Sequence, residues 1–338
     1  MDTAEPITIF TAKDLETDQE VRWCPGCGDY AILKSVQKIL PELGRPKNEF
    51  VFISGIGCSS RFPYYMDTYG MHSIHGRAMA VATGLKASRP ELSVWVVTGD
   101  GDSLSIGGNH LIHTLRRNPN LNILLFNNQI YGLTKGQFSP TSEQGKITKS
   151  SPFGTTDMPF NPLALALGAN GTFVARTLDR DPKHQQEIYK RAYAHNGTSL
   201  VEIYQNCNVF NDAAFEIMTE KDSKPFHTVF VENGQPMVFA NGTKGIVLDG
   251  LTPRVKDLEE LSVNDLWVHD ESDPTKAYIL SRFFDSEALP RPFGVLYANS
   301  EKPVFEDLLN KQMQDKRIDD KKTAFRQLLK SGTNWEVK

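Results

Sequence analysis

Four short runs in this chain are almost continuously apolar: FVFIS (50–54), SVWVVT (93–98), LNILLFN (121–127) and LVEIY (200–204). A strand with one face in water alternates apolar and polar residues, so runs apolar throughout predict strands covered on both faces. Between them lie stretches with helical spacing. AILKSVQKIL follows Asp29, which reads as its N-cap. IHGRAMAVATGLKASR (74–89) is stopped by Pro90, IGGNHLIHTLRR (106–117) follows, and another helix falls near 184–195. Alternation of this kind predicts the α/β class, a parallel sheet with helices on both faces.

The 338 residues suffice for roughly two typical domains or one large α/β unit. Residues 1–22 read as a polar arm, 23–210 as the α/β domain and 211–338 as an extension that contacts another subunit. Within the extension, VFVENGQPMVF (229–239) predicts a hairpin turned at Asn233-Gly234. Phe305, Leu308, Leu309, Ile318, Phe325 and Leu328 predict the stripe of peripheral helices. A net charge of −4 argues against a nucleic-acid binder. No apolar run approaches the roughly 18 residues of a membrane span, and MDTAEPITIF has no basic leader segment. The expectation is a cytoplasmic protein, in which Asn-Gly-Thr at 170, 196 and 241 marks turns and disulfides are disfavoured.

Gly99-Asp100-Gly101 directly follows a predicted strand, and Asn127-Asn128 ends the next one. In a parallel sheet both lie at carboxyl ends of neighbouring strands, where open α/β folds bind ligands. The glycines admit an anion close to the backbone, and the following helix offers amides to a diphosphate. Asp100, Asn128 and the Ile130 carbonyl supply three hard oxygens toward an octahedral Mg2+. G-x-G-x-x-G fails at both Gly55-Ile56-Gly57 and Gly99-Asp100-Gly101, and no G-x-x-x-x-G-K-[ST] occurs, which leaves thiamine diphosphate as the best fit.

CPGCG (24–28) pairs Cys24 with Cys27, while Cys58 and Cys207 stand alone after predicted strands. All four can meet at the same sheet edge. Structural zinc sites usually show two close pairs, so the spacing favours an iron–sulfur cluster, with zinc as the alternative. His72 and His75 read as pocket or core residues, and His110 and His113 as packing.

Taken together, CPGCGDY, GIGCSSRFPYY, HSIHGRA, GDGDSLSIGGNH, NNQIYGLTKGQ and QNCN resemble, in order and spacing, a known family over roughly residues 20–215. It is the β subunit of the thiamine-diphosphate-dependent 2-oxoacid:ferredoxin oxidoreductases, and the phrasing is similar to the 2-oxoglutarate-acting members. The resemblance implies one [4Fe-4S] cluster on Cys24, Cys27, Cys58 and Cys207, and Mg2+ on Asp100, Asn128 and Ile130. It implies cofactor contacts from Ile56, Gly57, Cys58, Ser59, His75, Gly101, Asp102, Gly132 and Leu133, with His75 and Arg61 catalytic. The implied reaction is oxidative decarboxylation of 2-oxoglutarate to succinyl-coenzyme A, with electrons passed to ferredoxin, and reversible in carbon fixation. An α subunit would supply the glutamate that activates the pyrimidine. The sequence departs from relatives at Arg61, where lysine is frequent, and at Lys135, where pyruvate-acting members often carry T-G-G-Q. Arg61 can pair a distal carboxylate. The alternatives are that Arg61 and Lys135 meet coenzyme A phosphates or a neighbouring subunit. A pyruvate or broad 2-oxoacid substrate, or a non-redox thiamine enzyme with zinc, are the rival functions.

Overall fold

Each of the four apolar runs is a strand of one sheet, joined there by three strands the sequence did not announce and by the first arm of the expected hairpin. The structure is a computed structural model and describes residues 10–262, 265–333 and 335. In chain order the strands are Phe50–Ser54 (β1), Tyr69–His72 (β2), Ser93–Gly99 (β3), Leu121–Asn127 (β4), Phe173–Leu178 (β5), Ser199–Tyr204 (β6) and Thr228–Val231 (β7). They are followed by Val238–Phe239 (β8), Lys244–Asp249 (β9), Thr252–Asp257 (β10) and Arg291–Ala298 (β11). The main sheet runs β2-β1-β3-β4-β6-β5-β11-β7, and β8–β10 make a small antiparallel sheet. Every pairing in the main sheet is parallel except β11 with β5.

Alternate side chains of each central strand enter opposite cores, which is why the runs are apolar throughout. Val51, Ile53, Val94, Val96, Leu121 and Ile123 face one core. Phe50, Phe52, Trp95, Val97, Leu124 and Phe126 face the other. The first core is covered by Ala78–Ser88 (α2), Gly108–Arg117 (α4) and Pro162–Gly168 (α5); the second by Asp29–Ile39 (α1) and Pro182–Ala194 (α6). A short helix, Asp100–Leu104 (α3), starts directly at the end of β3. Phe10 and Leu15 of the arm pack into the second core, Phe10 with its ring 6.3 Å from Phe50.

Several expectations shift in detail. Gly28, not Asp29, is the N-cap of α1; its amide donates to the Asn206 carbonyl, so the turn begins inside CPGCG, and Asp29 is buried as the first helical residue. The HGR of 75–77 lies in a turn before α2, which begins at Ala78. The segment 229–239 is not a hairpin. Asn233-Gly234 does turn, with Gly234 at φ 75°, but β7 pairs with β11 and β8 with β9. The intervening loop bonds to a third segment instead: Gly234 donates to His269 and Met237 to Trp267. The peripheral helices form as Phe305–Asp315 and Lys321–Leu329, but no residue of the second is buried and Leu308, Ile318, Phe325 and Leu328 are exposed. Residues beyond 210 complete the main sheet through β7 and β11.

Candidate active site

β1, β3, β4 and β6 are neighbours, so their carboxyl ends form one continuous rim. From this rim rise Gly55-Ile56-Gly57-Cys58 after β1, α3 after β3, Asn128–Leu133 after β4 and Gln205-Asn206-Cys207 after β6. Two cavities open there. The larger, about 430 Å³, is lined by Ile56, Gly57, Cys58, Ser59, His75, Asp100, Gly101, Asp102, Asn128, Ile130, Gly132 and Leu133. These are all the residues anticipated for thiamine diphosphate and Mg2+. The second, about 230 Å³, is lined by all four cysteines together with Arg22, Arg61 and Lys135. The two cavities share Cys58, Asn128, Gly132 and Leu133 as their common wall.

Asp100 is 2% exposed, and burial lifts its carboxyl to about 6 against the lowering effect of hydroxyls from Ser139 and Thr141. A carboxylate held this dry, facing a cavity, fits a cation. Asn128 turns its amide oxygen toward the Ile130 amide at 3.2 Å and donates to Gln205 at 2.9 Å, which fixes the side chain at the same rim. With the Ile130 backbone beside them, the oxygen donor set is the hard kind Mg2+ takes. Gly101 tolerates no side chain: a β-carbon would overlap the Tyr131 ring, whose hydroxyl donates to the Gly101 carbonyl at 2.9 Å.

Asp102 has a different task from its neighbour. Its Oδ1 accepts from the Ile56 amide at 3.0 Å, the Gly76 amide at 2.7 Å and His75 Nδ1 at 2.6 Å, and its Oδ2 accepts from Thr98 at 2.7 Å. One buried carboxylate of α3 thus ties two loops to β3. With Nδ1 donating to Asp102, the other ring nitrogen of His75 is the acceptor offered to the cavity. The tie also explains Gly55, where any β-carbon would run into Asp102.

The thiols are free of disulfides. Burial raises the Cys27 thiol strongly and Cys58 to about 12, with Asp29 and the other cysteines adding to both. Such thiols ionise only when a metal takes the proton's place. Trp23 Nε1 donates to the Cys58 carbonyl at 2.7 Å and Gln205 Nε2 lies 3.2 Å from Cys27 Sγ, so both loops are braced from behind. Among the described residues no three metal-binding side chains gather tightly enough for a single ion. Four thiols around one cavity are a donor set that an iron–sulfur cluster or a zinc ion can take. Arg61 lines the thiol cavity and also a third one of about 390 Å³, shared with Arg22, Tyr64 and His72. Tyr131 and Gln205 fall inside the motifs NNQIYGLTKGQ and QNCN but received no role from the sequence, and Ser139 and Thr141 carry no motif at all.

Fold and site together define a thiamine-diphosphate-binding α/β domain, and the profile of the family described as "Thiamine pyrophosphate enzyme, C-terminal TPP binding domain" matches residues 55–203. The chain is 53% identical over 304 residues to 2-oxoglutarate oxidoreductase subunit KorB of Mycobacterium tuberculosis, covering 89% of this chain and 81% of that one. It is 36% identical over 300 residues to 2-oxoacid:ferredoxin oxidoreductase 2, subunit beta, of Aeropyrum pernix, covering 89% and 87%. To the corresponding subunit of Saccharolobus solfataricus the match is 44% over 192 residues, 63% of that protein's length. Among solved structures, a chain of 2-oxoglutarate:ferredoxin oxidoreductase from Magnetococcus marinus, with 2-oxoglutarate, coenzyme A and succinyl-CoA bound, superposes with a TM-score of 0.77. It is 34% identical, with 95% of this chain and 97% of that one covered. This chain belongs to the β subunits of the 2-oxoacid:ferredoxin oxidoreductases.

Proposed function

We propose that the chain is the β subunit of an enzyme that converts 2-oxoglutarate and coenzyme A to succinyl-coenzyme A and carbon dioxide, with two electrons leaving singly to ferredoxin. The observation that carries the reading is the shared wall: a cavity suited to thiamine diphosphate and one ringed by four thiols meet at Cys58, Asn128, Gly132 and Leu133. Relatives named for 2-oxoglutarate support the substrate. Asp100, Asn128 and the Ile130 carbonyl would hold Mg2+, and Ile56–Ser59, Gly101 and Gly132-Leu133 would enclose the cofactor, which supplies the electron sink for decarboxylation. Cys24, Cys27, Cys58 and Cys207 would hold one [4Fe-4S] cluster. His75, oriented by Asp102, holds or accepts a proton at its free nitrogen facing the cavity. Arg61, at the junction of two cavities, pairs the distal carboxylate of the substrate. The glutamate for the pyrimidine would come from an α subunit, with residues 211–338 among its contacts. A cluster on four thiolates would suit a reducing compartment such as the cytoplasm.

The deciding experiment uses the anaerobically purified complex with its α partner. Expected are about four irons and four sulfides per β chain, and coenzyme A-dependent ferredoxin reduction faster with 2-oxoglutarate than with pyruvate. Zinc without sulfide, or decarboxylation without reduction of ferredoxin, would overturn the redox reading. A faster rate with pyruvate would overturn the substrate.

A further inference from the structure

Asp100 lines the cavity and is held from the loop that follows β4: its Oδ2 receives the hydroxyls of Ser139 and Thr141, beside backbone amide contacts from Gly101 and from its own residue. Ser139, Thr141 and Ser142 sit in a loop that folds back after β4 and is itself pinned, Ser142 donating to the Gln129 carbonyl at 2.6 Å. Thr141 Oγ1 also lies 2.9 Å from Asn127 Oδ1, so its single proton is shared between two oxygens.

Behind Thr141 the contacts continue. The Asn127 amide is fixed in orientation, accepting from the Gln129 amide at 3.2 Å and donating to Glu202 Oε1 at 2.7 Å. Glu202 Oε2 accepts from Arg176 Nε at 2.7 Å, and both charged side chains are completely buried. Arg176 Nη1 in turn donates to the Pro292 carbonyl in β11 at 3.1 Å. A buried ion pair seldom outdoes apolar residues of the same volume as a source of stability. Here it dictates which end of the Asn127 amide faces Thr141.

We propose that Ser139 and Thr141 are positioning residues: donating to Oδ2, they hold the Asp100 carboxylate in place for the hard divalent cation that carries a diphosphate. The inference rests on the cofactor site proposed above. Carboxylates that ligate metals are generally held by a hydrogen-bonding shell, whose loss lowers affinity or activity by about 10- to 100-fold.

The test is a Mg2+ titration of the complete complex at saturating thiamine diphosphate, read by tryptophan fluorescence, without turnover. In Thr141→Val the Mg2+ midpoint rises about 10- to 100-fold, and the preference for Mg2+ over the larger Ca2+ weakens as the octahedral geometry relaxes. Thr141→Ser, which restores the hydroxyl, returns both to near the parent values. Ser139→Ala, the independent variant, shifts the midpoint in the same direction. Metal-free melting temperatures that stay level across the set separate positioning from loss of fold. An unchanged midpoint and ion preference in Thr141→Val and Ser139→Ala overturn the proposal. If the unaltered complex itself shows no Mg2+-dependent binding, the cofactor reading fails first and the positioning role with it.

Discussion

Asp102 is 2% exposed and accepts from Ile56, Gly76, His75 and Thr98, so its removal strands the buried donors of Gly76 and Thr98 and loosens the two partly exposed ones. Each orphaned buried donor costs about 1–3 kcal/mol. Asp102→Ala should therefore lower stability by about 3 kcal/mol or more, read as a fall in the urea midpoint of the metal-free protein. Asp102→Asn, which keeps the shape but turns one acceptor into a donor, should fall in between. An unchanged midpoint for the alanine variant would mean that the four bonds are not made in solution. Gly132 supports a separate expectation, because a β-carbon there would sit 3.6 Å from the sulfurs of both Cys58 and Cys207. If the four cysteines hold the proposed cluster, Gly132→Ala should keep its iron, whereas Gly132→Val, crowding the cavity from its wall, should lose iron with little change in the melting temperature of the metal-free protein. Full iron content in the valine variant would sink that expectation. Asp100, Asn128 and the cysteines were legible because turn chemistry, metal-ligand chemistry and strand ends coincide there. Ser139 and Thr141 were not, since FSPTS reads as any polar loop until it folds back onto Asp100.

At the scale of elements, burial separates what the fold needs from what it only carries. The helix Lys321–Leu329 buries none of its residues, and Phe325, Leu328 and Leu329 are each more than half exposed. Ending the chain at residue 320 should move the melting temperature by no more than about 2 °C, since surface changes usually stay within about 0.5 kcal/mol. A drop of 10 °C would show that the helix packs on the chain in solution. Ending it at residue 215 should instead prevent folding, because that removes β7 and β11 and leaves the edge of β5 unpaired. The central strands were legible because both their faces are apolar. β5 was not, because Arg176 interrupts FVARTL, and it takes Glu202 on the neighbouring strand and the Pro292 carbonyl to make an arginine tolerable there. β11 opens with Arg291-Pro292 and carries Gly294 at φ 120°, features that read as a loop. The misread hairpin has a related cause, since a local Asn-Gly signal fixes a turn but not the partners of the strands beside it.

For the molecule as a whole, buried groups of opposite type set how stability follows pH. His195 is 5% exposed, with Nε2 2.8 Å from Thr172 Oγ1, and burial pulls it down to about 4 from an ordinary 6.5. Below pH 6.5 the unfolded chain binds a proton that the folded one refuses, so stability is full above 6.5 and is lost progressively as pH falls toward 4. Asp29 works the other way. Its carboxyl is buried, and burial, with Asp179 nearby, raises it to about 7 from 3.8 against a lowering hydrogen bond from the Cys27 thiol. Its folded form holds the proton longer, so its contribution is full below about 4 and is lost as pH rises through 7. Between pH 5 and 7 the two slopes oppose each other, and His184, also pulled down by burial to about 4, adds to the first, so a pH profile of the parent chain alone assigns neither. Variants separate them. From pH 7 to pH 5 the parent should lose about 2 kcal/mol more than His195→Gln, which keeps a donor for Thr172 but cannot titrate. Asp29→Asn, with no charge to bury, should gain on the parent as pH rises from 5 to 8. Urea midpoints of the metal-free protein at pH 5, 7 and 8 check both. Parallel profiles for parent and His195→Gln would mean that the imidazole reaches water in the folded state, and a constant gap for Asp29→Asn would mean that its carboxyl titrates as it does in the open chain.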